Sequence, residues 1–158
     1  MRLVFFQPDI PQNLGAAMRV AACFGAGLDI VEPCAFPLTD RKIRQAAMDY
    51  GASISPVRHG SWRIYTESEQ ARSGRLVLFT TRGADTLWES EFRPDDRLLF
   101  GRESAGVPED VHNQADIRIK IPIRAETRSL NVVVSAGIAL AEAQRQAFQT
   151  GSDLHFPT

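Results

Sequence analysis

Cysteine is nearly absent from this chain of 158 residues, and its two cysteines, Cys23 and Cys34, share neither a C-x-x-C spacing nor a set of partner histidines. The common structural zinc sites and dithiol redox motifs are thereby excluded, and both residues are expected as buried thiols in a reducing compartment. Histidine is also scarce. His59, His112 and His155 lie far apart, each is expected to be a surface or locally bonded side chain, and no residue set calls for a metal. No apolar run approaches membrane-spanning length, and Leu3-Val4-Phe5-Phe6 gives way at once to Pro8-Asp9, too short a run for a signal-peptide core. A soluble cytoplasmic protein with no membrane contact is the simplest expectation. An excess of one charge is missing too: the formal net charge is -1. This weighs moderately against a nucleic-acid partner, because Lys and Arg contacts to phosphate supply most of the affinity in such complexes. Basic residues nevertheless cluster locally, at Arg41, Lys42 and Arg44, at Arg58, His59 and Arg63, and at Arg118, Lys120, Arg124 and Arg128. Internal repeats, low-complexity tracts and linkers are absent as well.

What is present is an ordinary globular balance, 44% hydrophobic and 23% charged residues, in a length that suits one domain. A catalytic domain and a substantial separate RNA-binding domain would not both fit, so residues 1–158 are read as a single unit. Short apolar runs at Leu3–Phe6, Leu28–Val31, Leu76–Phe79, Arg97–Phe100 and Ile117–Ile121 read as buried strands, with a further short strand around Val57. Helical spacing from about Asn13 (Leu14, Ala17, Met18, Ala21) ends at Gly25 and Gly27. Further helices are expected from Asp40 to Met48, from Trp62 to Gln70, and from Asn131 to about Gln149, with Gly151–Thr158 a loosely held tail. Strands alternating with helices imply an α/β fold, a single-domain, mainly parallel sheet with helices on both faces.

Three segments place small or polar residues where a strand hands over to a helix, the place where α/β proteins bind ligands. The first is Pro11-Gln12-Asn13-Leu14-Gly15 running on to Arg19. Taken alone it reads as a helix start, with Asn13 capping, Gly15 packing closely and Arg19 in solvent. Asn13 and Arg19, six positions apart, sit roughly 240° apart around a helix, so they do not share a face. The second is Phe100-Gly101-Arg102-Glu103-Ser104-Ala105-Gly106-Val107-Pro108, in which Gly101 and Gly106 allow close backbone approach, Glu103 offers a carboxylate and Pro108 suits the first turn of a new helix. It is not the dinucleotide fingerprint, so NAD is not implied. The third is Ile121-Pro122 followed by Arg128-Ser129-Leu130-Asn131, with Ser129 either an ordinary helix cap or part of an anion-receiving helix start.

Together and in this order, the segments resemble the three motifs of the SPOUT class of S-adenosylmethionine-dependent RNA methyltransferases. The likeness is greatest to the SpoU family and its TrmL-like branch, the tRNA ribose 2′-O-methyltransferases of the wobble nucleotide. The resemblance spans nearly the whole chain. It implies a SPOUT-type α/β fold with a C-terminal trefoil knot, which generic topology rules would not anticipate. It implies S-adenosylmethionine as cofactor, contacted by Phe79, Thr80 and Thr81, by Gly101, Glu103 and Gly106, and by Ile121, Pro122, Ser129 and Leu130. It implies tRNA rather than DNA as partner and a homodimer packed through the first and last helices, with which the small residues Ala136, Gly137 and Ala139 are compatible. By motif matching Arg19 is the leading residue at the reacting hydroxyl, with Asn13, Glu103, Ser129 and Asn131 around it. A guanidinium stays protonated in proteins, so Arg19 is expected to clamp phosphate and stabilise charge on the 2′-oxygen rather than act as base. The chain departs from the family at Val133, where relatives often carry a hydroxyl residue, with the next serine at Ser135, and near Ala141, where a tyrosine is frequent. Alternatives are another RNA such as ribosomal RNA, a non-catalytic cofactor-binding module, or a nucleotide-binding protein whose turns imitate these motifs.

Overall fold

The computed structural model describes residues 1–39, 55–83 and 85–151. The expected helix from Asp40, its basic residues Arg41, Lys42 and Arg44, His155 and nearly all of the tail lie outside the described residues. The elements are β1 (Arg2–Phe6), α1 (Pro11–Cys23), β2 (Gly27–Val31), β3 (Val57–His59), α2 (Trp62–Glu67), β4 (Leu76–Phe79), β5 (Asp85–Thr86), β6 (Arg97–Phe100), α3 (Glu109–Gln114), β7 (Ile117–Lys120) and α4 (Val132–Thr150). Among the described residues the strands form one sheet in the order β3-β2-β1-β6-β4-β7-β5, and every neighbouring pair is parallel.

Both faces of this sheet are covered at its centre, which is why β1, β4 and β6 carry unbroken apolar runs (Leu3–Phe6, Leu76–Phe79, Leu98–Phe100) rather than alternating ones. Leu3, Phe5, Val77, Phe79, Leu98 and Phe100 point to one side, where they pack with Leu14, Ala17, Met18 and Ala21 of α1 and Val133, Ala136, Ala139 and Leu140 of α4. Val4, Phe6, Leu76, Leu78 and Leu99 point to the other, against Tyr65 of α2 and Val111 of α3. Ala136 and Ala139 are fully buried in this core, so the chain's own packing accounts for them; a Cβ added at Gly137 would meet nothing.

The connection from β4 to β5 sets up everything at the site. These strands are consecutive in sequence yet lie on opposite sides of β7, so the connection leaving Phe79 must cross β7 at its carboxyl end. Gly83 makes that crossing possible. A Cβ there would stand 2.5 Å from both the carbonyl carbon of Ile119 and the nitrogen of Lys120. The Thr80 N–H donates to the Ile119 carbonyl (2.9 Å), tying the start of the loop to the same strand.

Several expectations need correction. The helix expected from Trp62 to Gln70 breaks at Ser68, whose backbone is extended, and resumes as a short 3-10 turn at Glu69–Ala71. Cys23 is exposed on the outer side of the last turn of α1, and Cys34 is half-buried in the segment after β2. The basic group at Arg58, His59 and Arg63 is internally neutralised: Arg58 bonds Glu32 (3.0 Å), Arg63 bonds Glu67 (3.0 Å), and buried His59 bonds Asp29 (2.8 Å). The strand β5, two residues long, has no counterpart in the sequence reading.

Gly83→Ala is expected to destabilise the protein by about 1–3 kcal/mol, since the added methyl collides with backbone that cannot move aside. Urea unfolding measures this, and unchanged stability would contradict the tight crossing over β7.

Candidate functional site

A cavity of about 570 Å³ opens where the carboxyl ends of β4, β6 and β7 meet. Its walls are residues 78–82, residues 100–107 of the second segment singled out by sequence, and Ile121, Ile123 and residues 128–132 from the third and its flank, with Asn13 of the first segment, Ile10 and Ser135 on the α1 and α4 side. Phe79 and Phe100 form part of the floor and belong to a row of stacked rings, with centroids 5.6 Å apart from Phe5 to Phe100, 5.0 Å from Phe100 to Phe79 and 6.3 Å from Phe79 to Phe92. Offset aromatic stacking of this kind gives a rigid apolar base to a polar-walled pocket.

The second segment is a closed loop. The Arg102 N–H donates to the Gly106 carbonyl (2.9 Å) and the Gly106 N–H to the Arg102 carbonyl (2.8 Å). Gly106 has φ +69, and a Cβ at Gly101 would stand 2.4 Å from the Gly106 carbonyl carbon. Both glycines are therefore dictated by the turn itself. The loop presents Glu103 toward α1, where Oε1 accepts from Asn13 Nδ2 and Oε2 accepts from the Asp9 N–H, both at 2.8 Å. Asn13 passes the contact on: its Oδ1 accepts from Asn131 Nδ2 at 3.0 Å. Asn131 in turn caps α4, its Oδ1 accepting from the N–H groups of Val133 (2.8 Å) and Val134 (3.3 Å). One polar chain thus joins all three segments.

Asp9 is the mooring on the other side. Its Oδ1 accepts from Arg102 Nη2 (2.7 Å) and Nε (3.1 Å), and its Oδ2 accepts from the Ser104 hydroxyl (2.6 Å) and N–H (3.0 Å). These bonds, Arg102 first and Ser104 second, lower its pKa from 3.8 to about 2.

The expected site residues fall as follows. Asn13, Glu103 and Asn131 are brought into contact, and Phe79, Thr80, Thr81, Gly101, Gly106, Ile121, Ser129 and Leu130 line the same cavity. Pro122 and Arg19 do not line it; Arg19 lies on the exposed side of α1, as the angle from Asn13 requires. Asn13 is not a cap, because α1 begins at Pro11 with Ile10 in the capping position, and Asn13 instead turns its amide to Glu103. Asn131 rather than Ser129 caps α4. Pro108 occupies the cap position of α3 rather than its first turn. The hydroxyl missing at Val133 has an answer in Ser135, which lines the cavity and donates to the Asn131 carbonyl (3.1 Å). The sequence reading missed Asp9, Arg102 and Ser104. A carboxylate in a loop just before Ile-Pro was the available signal, but its partners lie more than ninety residues away.

A parallel sheet crossed at its carboxyl edge by a short loop, with a glycine-walled cavity between the crossing and the next two loops, is the architecture of a SPOUT-type methyltransferase. Residues 1–141 match the family described as SpoU rRNA Methylase, and the chain belongs to that family. It is 48% identical over 144 residues to a tRNA (cytidine(34)-2'-O)-methyltransferase of Beijerinckia indica, covering 91% of this chain and 90% of that one. A solved structure concerned with 2-OH methylation of C/U34 on tRNA superposes with a TM-score of 0.85 at 39% identity, covering 94% of this chain and 96% of that chain. The SpoU methyltransferase AviRb of Streptomyces viridochromogenes, solved in complex with the cofactor AdoMet, matches with a TM-score of 0.82 at 26% identity over 94% of this chain and 61% of that chain. Among the described residues, no helix is long and apolar enough to cross a membrane, and no group of histidine, cysteine and acidic side chains could hold a metal ion.

The lowered pKa of Asp9 fixes the sign of a pH effect. A carboxylate more acidic in the folded state stabilises it fully above about 3.8, and that contribution disappears as pH falls through about 2. Asp9→Asn is expected to be less stable than the parent at neutral pH, with the difference closing as pH falls toward about 2. Urea titrations across that range check this; a constant difference would contradict the ionised clasp.

Proposed function

We propose that this protein transfers a methyl group from S-adenosylmethionine to the ribose 2′-oxygen of the wobble nucleotide of tRNA. The observation that carries this is the convergence of all three segments on one cavity through Glu103, Asn13 and Asn131. The names of relatives that match over nearly the whole chain support the substrate. The description of the family itself favours a second reading, ribosomal RNA.

The residues present fit the cofactor. The cavity volume of about 570 Å³ lies within the range of about 300–1,000 Å³ usual for small-molecule sites. Residues 79–81, Gly101, Gly106, Ile121 and Leu130 would hold it, chiefly through main-chain groups, since two of them are glycines and the others close strands or loops. When bound, S-adenosylmethionine supplies an electrophilic methyl on a sulfonium. The chain's own part is positioning, which can account for a large share of the acceleration of an in-line displacement. Glu103 holds Asn13, Asn13 holds Asn131, and Asn131 fixes the start of α4, so the walls that must receive ribose and methyl donor keep one spacing. Arg19 clamps the RNA phosphate and stabilises charge developing on the 2′-oxygen, while the proton passes to solvent or to a phosphate oxygen.

Arg19 does not line the cavity of its own chain, which favours a homodimer packed through α1 and α4. The exposed Val134 (51%) and Phe148 (90%) on α4 give such an interface apolar surface. The exposed Arg124 and Arg128, close to the cavity, suit backbone phosphates. RNA recognition rests on this one domain, which carries the SPOUT fold with its knot, and the reaction runs in the cytoplasm.

Purified protein incubated with radiolabelled S-adenosylmethionine and tRNA from cells lacking this enzyme should place label on the ribose of the wobble nucleotide, located by nuclease mapping. Label on ribosomal RNA with none on tRNA would select the second reading. With RNA and cofactor saturating, Arg19→Ala should slow single-turnover methylation by about a hundredfold, the size of one lost electrostatic contact in a transition state. A near-normal rate would remove Arg19 from the chemistry.

A further inference from the structure

Glu103 ties the loop after β6 to α1 from the loop's side, but the same junction is also gripped from the opposite side. Asp9, in the segment between β1 and α1, takes all four of its hydrogen bonds from that loop: two from the Arg102 guanidinium and two from Ser104. Its own N–H meanwhile donates to Glu103, the residue between those two. Each segment therefore offers the other a carboxylate, and the two grips interlock.

A carboxylate has about four acceptor positions, and Asp9 has two bonds on each oxygen. It is saturated and has no lone pair to spare for a substrate proton. A role as general base is closed to it, and a role in geometry is open. The loop 101–106 needs such a tether. Its internal bonds join Arg102 to Gly106, and they fix its shape without fixing the angle at which it meets α1. Arg102, Glu103 and Ser104 all line the cavity, so that angle sets the cavity's width.

We propose that Asp9 is a positioning residue of the cofactor pocket: its carboxylate sets the angle of the 101–106 loop against α1 and so holds the cavity at the width that S-adenosylmethionine requires. This rests on the reading of the cavity given above. Asparagine at this position keeps the size but replaces one acceptor with an NH2 group, which then faces the donors of either Arg102 or Ser104. Charge-assisted bonds of this kind are the strong class, and losing two of them should weaken cofactor binding by about tenfold or more. Glu103 keeps its bond to Asn13 in that variant, so the defect should fall on cofactor affinity rather than on turnover.

The test uses calorimetric titration with S-adenosylmethionine and tRNA methylation kinetics on the parent protein, Asp9→Asn, Ser104→Ala and the double variant, with thermal unfolding recorded for each. Expected are a Kd and a cofactor KM raised about tenfold or more in Asp9→Asn, with kcat at saturating cofactor within about threefold. Ser104→Ala should show a smaller rise, about threefold, and should add nothing to Asp9→Asn, because its hydroxyl acts through that carboxylate. If Asp9→Asn does not fold, the Ser104→Ala titration carries the test, and an affinity equal to the parent's overturns the proposal. So does a folded Asp9→Asn that binds like the parent, or a double variant whose losses are additive. If the parent fails to bind S-adenosylmethionine, the functional reading falls and this inference falls with it; a binding parent with an unaffected Asp9→Asn sinks the inference alone.

Discussion

One carboxylate, that of Glu103, holds together parts of the chain that are ninety or more residues apart. Its two oxygens take the Asp9 N–H and the Asn13 amide, and Asn13 then takes Asn131 at the head of the last helix. The Asp9 and Asn13 bonds to Glu103 are partly withdrawn from water, so leaving either group without its partner would cost more than the bond itself contributes, while the Asn13–Asn131 bond lies exposed at the rim. The arrangement is therefore cooperative: the start of α1, the loop after β6 and the start of α4 have one mutual geometry in which all the polar groups are satisfied. The cavity is the space that geometry leaves.

The sheet supplies the rest of the constraint. Because the connection after β4 crosses β7 to reach the edge strand β5, residues 80–83 are pressed onto the end of β7, and the segment leaving β7 lines the cavity opposite them. A rigid row of phenylalanines lies beneath. Neither wall can move far without breaking sheet pairing, which suits a reaction whose acceleration comes from alignment. Glycine is required at Gly83 and Gly101 by backbone contact and at Gly106 by its φ of +69.

The sequence made the main strands legible because each is buried on both faces and so reads as an unbroken apolar run; Leu76–Phe79 and Arg97–Phe100 are the clearest cases. It hid β5, since two residues, Asp85 and Thr86, carry no pattern, and with β5 it hid the crossing. Asn13, Glu103 and Asn131 were legible as residues, but not as a connected chain, because hydrogen bonding between distant segments leaves no periodicity. The exchange of roles between Ser129 and Asn131 shows the same limit: both are good caps, and only the path of the chain decides which one reaches the free N–H groups. Asp9 was invisible for a related reason, its partners Arg102 and Ser104 lying within a motif read for its glycines and glutamate.

The cavity at which the three segments meet is proposed as the seat of the methyl donor. A crystal structure of this protein with S-adenosylhomocysteine tests it most directly. The ligand should lie within the cavity, against residues 79–81, the 101–106 loop, Ile121 and Leu130, with Glu103 still bonded to Asn13. A ligand bound elsewhere on the protein, with this cavity left open, would contradict it.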